Sequence, residues 1–342
     1  MKEELACLIV ARNLGDAVIH SMFFAELVRR GYAQRYLVWA RPQAAFLFAG
    51  IGDCELVTSP FPAGTNMQMG GLGSFRFLRA AAMVRGKRPS VTIDLIGDFR
   101  ERWFASLAGS RRHRHIGWAE DHPFHRLIRN PFGTTEPVYR VPATELNVYS
   151  AYARMLDRLA PGPQPASLAV QRRAAPTQAP HIGLHPFASQ RCREWPLERW
   201  RELGAALTQR GCRATIFGAP PDAGRLHQLV SGLPVNVHTG STAQFAAAVA
   251  QLDGMVALDS FALHLAARQG VPAVMINGAN DHRIWQPPSA LVLAESGGCP
   301  VYPCYNKPSC VGGPGEYACI RAIGVGQVLT AVEQILGMPQ LT

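Results

Sequence analysis

The segment that most constrains the fold is Val256-Ala257-Leu258-Asp259-Ser260-Phe261-Ala262-Leu263-His264-Leu265-Ala266-Ala267. A short apolar run, of the kind that forms a strand buried on both faces, empties into Asp-Ser, and a helical pattern follows at once. Val271 to Ile276 is then the next buried strand. Strand, helix and strand in this order predict a parallel sheet with Asp259 and Ser260 at the carboxyl end of one strand, where ligands of open α/β sheets bind. Either residue suits the helix N-cap, and the unpaired amides of the helix start suit an anion. The plain alternative is a capped helix with a satisfied core histidine at His264.

A second segment has the same character. His185-Pro186-Phe187-Ala188-Ser189-Gln190-Arg191-Cys192-Arg193-Glu194-Trp195-Pro196 follows the short apolar strand His181 to Leu184 and precedes an amphipathic helix, Trp200 to Arg210. Pro196 fits the first turn of that helix. Ser189, Arg191 and Arg193 fall in a loop at a strand's carboxyl end, where guanidinium groups make forked contacts to phosphate. A solvated loop arginine is the plain alternative.

The βα rhythm runs through the whole chain. Strands are predicted at Leu5 to Ala11, Tyr36 to Ala40 and Val91 to Leu95, with helices at Ala17 to Arg30, Phe75 to Arg85 and Phe99 to Leu107. A Gly-, Pro- and Met-rich stretch, Pro60 to Gly73, interrupts them and is long for a connection in a compact domain. The Pro-rich stretch 161–180 is the linker candidate. A second α/β series follows, with strands Ala214 to Phe217 and Gly254 to Leu258 and a helix Ala243 to Leu252. The expected division is therefore 1–160, a linker at 161–180, 181–322, and a last helix near 323–342. A chain of 342 residues accommodates two such α/β domains.

Three ordered motifs resemble glycosyltransferase family 9, the heptosyltransferases that use ADP-heptose to build lipopolysaccharide core. They are Leu14-Gly15-Asp16-Ala17-Val18-Ile19-His20 after the first strand, Arg193-Glu194-Trp195-Pro196, and Asp259-Ser260-Phe261-Ala262-Leu263-His264-Leu265. Two positions depart from the family pattern: Phe261 replaces a usual Gly, and Arg193 a usual Lys. The first alters how closely backbone can approach a phosphate, and the second keeps the charge but changes its geometry. The resemblance implies a GT-B architecture, with two Rossmann-like domains facing a cleft. It also implies that the Val325 to Leu336 helix crosses back to the first domain.

The implied reaction is an inverting transfer of heptose from ADP-heptose to an acceptor hydroxyl, with inner-core lipopolysaccharide the preferred acceptor. Such a transfer must hold the departing diphosphate, accept a proton from the acceptor and exclude water. For the diphosphate the candidates are Ser189, Arg193, Asp259, Ser260 and His264, with Asp222 after another strand for the ribose hydroxyls. By its place in the Gly-Asp motif, Asp16 is the candidate general base; an N-cap aspartate is the alternative. No Asp-x-Asp motif occurs, so catalysis is expected to need no cofactor. Arg111, Arg112 and Arg114 are candidates for binding acceptor phosphate or carboxylate, against a solvated basic loop.

The net charge of +10 gathers in the first half, at Arg76, Arg79, Arg85, Lys87, Arg88, Arg100, Arg102 and the arginines at 111–114. An acidic glycolipid or an anionic membrane surface suits that balance. No nucleic acid is expected, because no binding motif interleaves aromatic residues with these arginines. No apolar run reaches the roughly 18 residues needed to span a bilayer. Met1-Lys2-Glu3-Glu4 leads into a strand rather than a signal peptide, so a cytoplasmic protein, peripheral on the inner membrane face, is expected.

Four of the eight cysteines, Cys299, Cys304, Cys310 and Cys319, crowd one segment as C-x4-C-x5-C-x8-C. They are candidates for a structural zinc or iron site, against free thiols or a redox pair. Within the enzyme class, another nucleotide sugar or a protein or small-molecule acceptor remains open. Outside it, Phe261 keeps open a non-catalytic sugar-nucleotide binder.

Overall fold

The computed structural model describes residues 2–62, 71–118, 134–170, 179–305 and 307–337. The chain divides into two compact units, Met1–Leu168 and Ala169–Thr342. Most of the Gly- and Met-rich stretch 60–73 and the middle of the Pro-rich stretch 161–180 lie outside the described residues.

The first unit contains strands β1 (Glu3–Val10), β2 (Ala33–Ala40), β3 (Cys54–Thr58), β4 (Val91–Asp94), β5 (Arg112–Gly117) and β6 (Thr134–Arg140). Helices α1 (Leu14–Arg29), α2 (Gly71–Gly86), α3 (Phe99–Ala108) and α4 (Val148–Leu159) accompany them. The sheet is parallel throughout, in the order β3-β2-β1-β4-β5-β6. Central β1 is continuously apolar from Leu5 to Val10 and buried along that length, as a strand covered by helices on both faces must be. Trp39, Phe61, Phe77 and Phe104 pack as an aromatic cluster, with ring centroids 4.9 to 6.4 Å apart. The indole of Trp39 donates to Ser59 Oγ at 2.9 Å, so its polar atom is not wasted in the core.

The second unit repeats this plan. Its strands are β7 (His181–His185), β8 (Arg213–Gly218), β9 (Val235–Thr239), β10 (Gly254–Leu258), β11 (Ala273–Asn277) and β12 (Ala290–Ala294). They are all parallel, in the order β12-β11-β10-β7-β8-β9. The helices are α5 (Leu197–Gln209), α6 (Ala223–Leu229), α7 (Thr242–Val249), α8 (Phe261–Arg268), α9 (His282–Trp285), α10 (Ala318–Ala322) and α11 (Val325–Leu336). Both sheets have the doubly wound order in which chain direction reverses beside the first strand. Those switch points lie between β1 and β4 and between β7 and β10.

Two expectations are corrected. Residues 161–168 are not free linker, because the Arg30 side chain donates to the carbonyls of Ala160 and Gln164 at 2.9 and 3.0 Å and binds Asp157. They therefore belong to the first unit, where Leu168 is buried. The last helix, α11, packs on the second unit's own sheet and on α5. Its apolar residues Val328, Val332, Ile335 and Leu336 join a core with Trp195, Trp200, Val256 and Val274. Pro196 is the N-cap of α5, one position before the first turn.

Candidate functional site

Each switch point carries a cluster of polar side chains, and the two clusters differ in kind. In the second unit, β7 leads into a 3-10 turn, Arg191–Arg193, and β10 leads into α8. The structure brings together Ser189, Arg193, Asp259 and Ser260, as expected from the two sequence segments. Arg193 Nη1 donates to the Asp259 carbonyl at 2.9 Å and lies 3.4 Å from Asp259 Oδ2. Its Nη2 donates to Ser189 Oγ at 2.6 Å. The guanidinium is thereby oriented before any ligand arrives, while its Nε is buried without a hydrogen-bond partner among the described residues.

Ser260 occupies the N-cap position of α8 but makes no capping bond. Its Oγ is also buried and has no partner among the described residues. A buried hydroxyl without a partner is costly, and it stands where the first amides of α8 point out of the helix. His264, one turn further, is buried, and burial lowers its pKa to about 4 against the opposing charge of Asp259. The ring is neutral at physiological pH.

Sequence reasoning missed the third wall of this cluster, the end of β11. Asn280 Nδ2 donates to Asp259 Oδ2 at 2.5 Å, and Asn277 Nδ2 donates to the Asn280 carbonyl at 2.8 Å and Tyr302 Oη at 3.1 Å. Gly278 sits so close to the Arg191–Arg193 turn that a Cβ there would meet the Cys192 carbonyl at 2.8 Å. The signal was present: Asn277-Gly278-Ala279-Asn280-Asp281 places two amide side chains just past a buried strand. Phe261 packs on Phe245 at 5.7 Å, and Phe245 touches His185 and Phe217. The residue that replaces the family's glycine is thus one member of an aromatic group beside the α8 start.

Asp222 ends a 3-10 turn after β8, where its Oδ2 accepts from the Ala219 amide at 3.3 Å and its Oδ1 lies 3.5 Å from Arg225. Those bonds are the work of a turn residue. The charge of Asp222 also reaches His185, which burial nonetheless holds down to about 4.

In the first unit, Asp16 lies in the first turn of α1, three positions past the N-cap residue Asn13, so it is not itself the cap. A carboxylate in that first turn is favoured by the positive end of the helix dipole. His20 is one turn on, buried, with neither ring nitrogen hydrogen-bonded among the described residues. Burial pushes its pKa down to about 3. Tyr152 of α4 stands 5.8 Å from that ring, and burial together with Asp16, Asp94 and Glu101 pushes its phenol upward.

Behind Asp16 is a dense charged network that sequence reasoning did not select. Arg12 donates to Glu101 Oε1 and Oε2 at 2.7 and 3.0 Å and also binds Asp98. Burial and the hydrogen bond with Asp98 raise Glu101 well above the usual carboxylate range. Burial opposes the charge of Asp98, but bonds to Glu101 and Arg100 and the Arg12 charge hold it low. Asp94, fully buried at the end of β4, accepts from the amides of Ile96 and Gly97 at 2.8 and 2.6 Å, and His113 Nε2 lies 3.0 Å from it. An acid closing the apolar run Val91-Thr92-Ile93-Asp94 was the sequence signal.

The structure does not bring Arg111, Arg112 and Arg114 to Asp16. Arg111 and Arg112 lie at the amino end of β5, whereas Asp16 follows the carboxyl end of parallel β1. Arg112 pairs with Glu3 at 2.6 Å and Arg114 pairs with Glu136, so two of the three guanidinium groups are already partnered.

The four cysteines of 299–319 are free thiols, and Cys319 is the buried one. Burial raises the Cys319 thiol, and Cys299, Cys304 and Cys310 are near enough to raise it further. Among the described residues no group of three or more His, Cys, Asp or Glu side chains is placed to hold a metal ion. The expected zinc or iron site does not fit this arrangement.

Residues 153–312 match the model of glycosyltransferase family 9 (heptosyltransferase). That match covers 160 of the 342 residues, so over just under half of its length the chain is similar to this family. Its fold is shared with a family 9 glycosyltransferase from Veillonella parvula, at 18% identity and a TM-score of 0.74 over 98% of this chain and 97% of that one. The E. coli heptosyltransferase WaaC, solved with ADP-2-deoxy-2-fluoro heptose, aligns at 14% identity and a TM-score of 0.72 over 96% and 99%. The iron-containing dodecameric glycosyltransferase TibC of enterotoxigenic E. coli aligns at 13% identity and 0.56, over 98% of this chain and 76% of that one. No curated protein matches the sequence. The architecture is GT-B, two doubly wound parallel sheets each flanked by helices, and no described helix is long and apolar enough to cross a membrane.

Proposed function

We propose that this enzyme transfers heptose from ADP-heptose, with inversion, to a hydroxyl of an acidic glycolipid of the lipopolysaccharide inner-core type at the cytoplasmic membrane face. The observation that carries the reading is the start of α8. There a buried serine hydroxyl without a partner among the described residues, a pre-oriented arginine and the first turn of a helix converge at the switch point of a parallel sheet. Such a constellation holds a diphosphate. WaaC, whose fold this chain shares, was solved with an ADP-heptose analogue and with ADP.

In this mechanism Arg193, Ser260 and the α8 amides receive the negative charge that grows on the departing diphosphate, while Ser189 and Asp259 keep Arg193 in place. Positive charge from Arg193 serves where other transferases use a divalent cation. Neutral His264 supports the α8 start, and Asp222 accepts from the ribose hydroxyls. Asp16 takes the proton of the acceptor hydroxyl as that oxygen attacks the anomeric carbon from the face opposite the diphosphate, which inverts the configuration.

The test is a calorimetric titration with ADP, UDP and GDP, followed by an assay for ADP release from ADP-heptose with a delipidated core acceptor. Selective binding of ADP and acceptor-dependent release are expected. A preference for UDP or GDP would overturn the donor, and binding without turnover on any acceptor would favour a silent nucleotide-sugar binder.

A further inference from the structure

Helix α2 has an outer face of unusual composition. Its inner face, with Phe77, Ala80, Ala81 and Val84, is buried, and Phe77 stacks on Trp39 at 5.5 Å. Apart from its terminal glycines, every exposed position of the helix is apolar or an arginine: Leu72, Phe75, Arg76, Leu78, Arg79, Ala82, Met83 and Arg85. The four large apolar side chains are far out in solvent, with Leu72 65%, Phe75 62%, Leu78 54% and Met83 50% exposed. Burying such groups in water-facing positions has no folding benefit, so a cluster of them on one face marks a surface that meets something else.

The charge says what that something is. From Gly71 to Ile93 the chain has no Asp or Glu, while Arg76, Arg79, Arg85, Lys87 and Arg88 fall in or just after the helix. Lys87 pairs with Glu55 at 2.6 Å, but among the described residues no carboxylate pairs with Arg76, Arg79 or Arg88. Trp103, on the neighbouring helix α3, packs its ring on Phe77 and is itself 40% exposed. The exposed positions offer no amide, hydroxyl or carboxylate that would fix the register of a folded protein partner. Apolar side chains interleaved with arginines, and an aromatic residue at the margin, suit the boundary between acyl chains and anionic headgroups. There the guanidinium groups reach the phosphates while their stems stay with the apolar layer.

We infer that the outer face of α2 is a docking surface for an anionic lipid bilayer. Leu72, Phe75, Leu78 and Met83 enter the interfacial layer, and Arg76 and Arg79 pair with headgroup phosphates. This goes beyond the transfer reaction and holds whatever the acceptor is. It gives the first unit a membrane-facing side on an enzyme whose described helices do not span a membrane.

The test is flotation of the full chain with vesicles of phosphatidylglycerol and phosphatidylcholine, and with phosphatidylcholine alone, at about 0.15 M salt. Binding to the anionic vesicles and little to the neutral ones is expected. Each cation near such a surface strengthens binding roughly fivefold, so Arg76→Glu with Arg79→Glu should weaken it more than about tenfold. Phe75→Ser with Leu78→Ser should weaken it while leaving ADP affinity and thermal unfolding unchanged, because both side chains are exposed. Equal binding of the double variants and the parent, or no vesicle binding by the parent, would overturn the inference. So would a concentration-dependent dimer that the Phe75→Ser, Leu78→Ser variant abolishes, since that would assign the face to a second copy. Nucleotide binding is measured separately, so failure here leaves the donor reading standing and failure there leaves this one.

Discussion

The two units share a sheet order and a helix plan, yet their switch points hold opposite chemistry. Beside β1 and β4 lie four acids, Asp16, Asp94, Asp98 and Glu101, of which Asp98 and Glu101 bind the Arg12 guanidinium and Asp94 and Glu101 are buried. Beside β7 and β10 the side chains are hydroxyls, amides, neutral histidines and one Arg–Asp pair. A doubly wound sheet thus fixes where a site stands without fixing what it does. The first cluster is suited to hold or move a proton, and the second to receive an anion.

The sharpest break of that contrast is Asp16→Asn. If Asp16 is the base, kcat falls roughly 10²- to 10⁴-fold while ADP affinity is unchanged, read by steady-state turnover beside calorimetry. A smaller effect on rate with lost ADP binding would move Asp16 into the donor site. Next in size is Arg12→Ala, which strips the cation from Asp98 and Glu101 and should cost about 3 kcal/mol of stability in chemical denaturation. Replacing Glu101 with Gln in the same background should recover part of it, because one buried charge is removed. No recovery would mean that the carboxylates do not share Arg12 as described.

How much of this was legible in the sequence follows burial. The central strands β1, β10 and β11 are apolar runs, and β4 and β7 have short apolar centres, so their positions were readable within a few residues. Peripheral β3, β6 and β9 are partly exposed and show no such run, β5 carries arginines and histidines, and the apolar run of edge strand β12 went unread with them. The pairing of Arg193 with Asp259 was half visible, since both residues sit after buried strands, but their contact joins positions far apart in the chain. The partners of the arginines at 111–114 were hidden for the same reason. Nothing local shows that Arg112 reaches Glu3 or that Arg114 meets Glu136 on the next strand. The partner of α11 was also hidden, because its apolar stripe fits any open core face.

Acid should destabilise both units. His185 and His264 are held near 4 by burial against an ordinary value of 6.5, so the unfolded chain binds protons that the folded second unit refuses. Stability from these groups is full above pH 6.5 and falls as the pH drops toward 4, by about 1 kcal/mol per pH unit for each. In the first unit His20 and His115 are depressed by burial in the same way, and Asp94 and Asp98, held low, extend its loss below pH 4 as they become protonated. Hydrogen exchange at stepped pH should show α8 peptides losing protection between pH 6.5 and 4, and equal protection across that window would contradict the neutral histidines. The smallest expected change is Ser260→Ala, which removes one hydrogen bond from a hydroxyl to the charged diphosphate. It should weaken ADP by about 1.5 kcal/mol, roughly tenfold, with thermal stability equal or higher because a buried unpaired hydroxyl is gone.

The division of labour is tested most directly by titrating ADP into the parent enzyme, Asp16→Asn and Arg193→Ala in one calorimetric series. The account requires Asp16→Asn to bind as the parent does and Arg193→Ala to bind at least about tenfold more weakly, as expected for the loss of a charge-assisted hydrogen bond. Undiminished binding by Arg193→Ala, or weakened binding by Asp16→Asn, would contradict it.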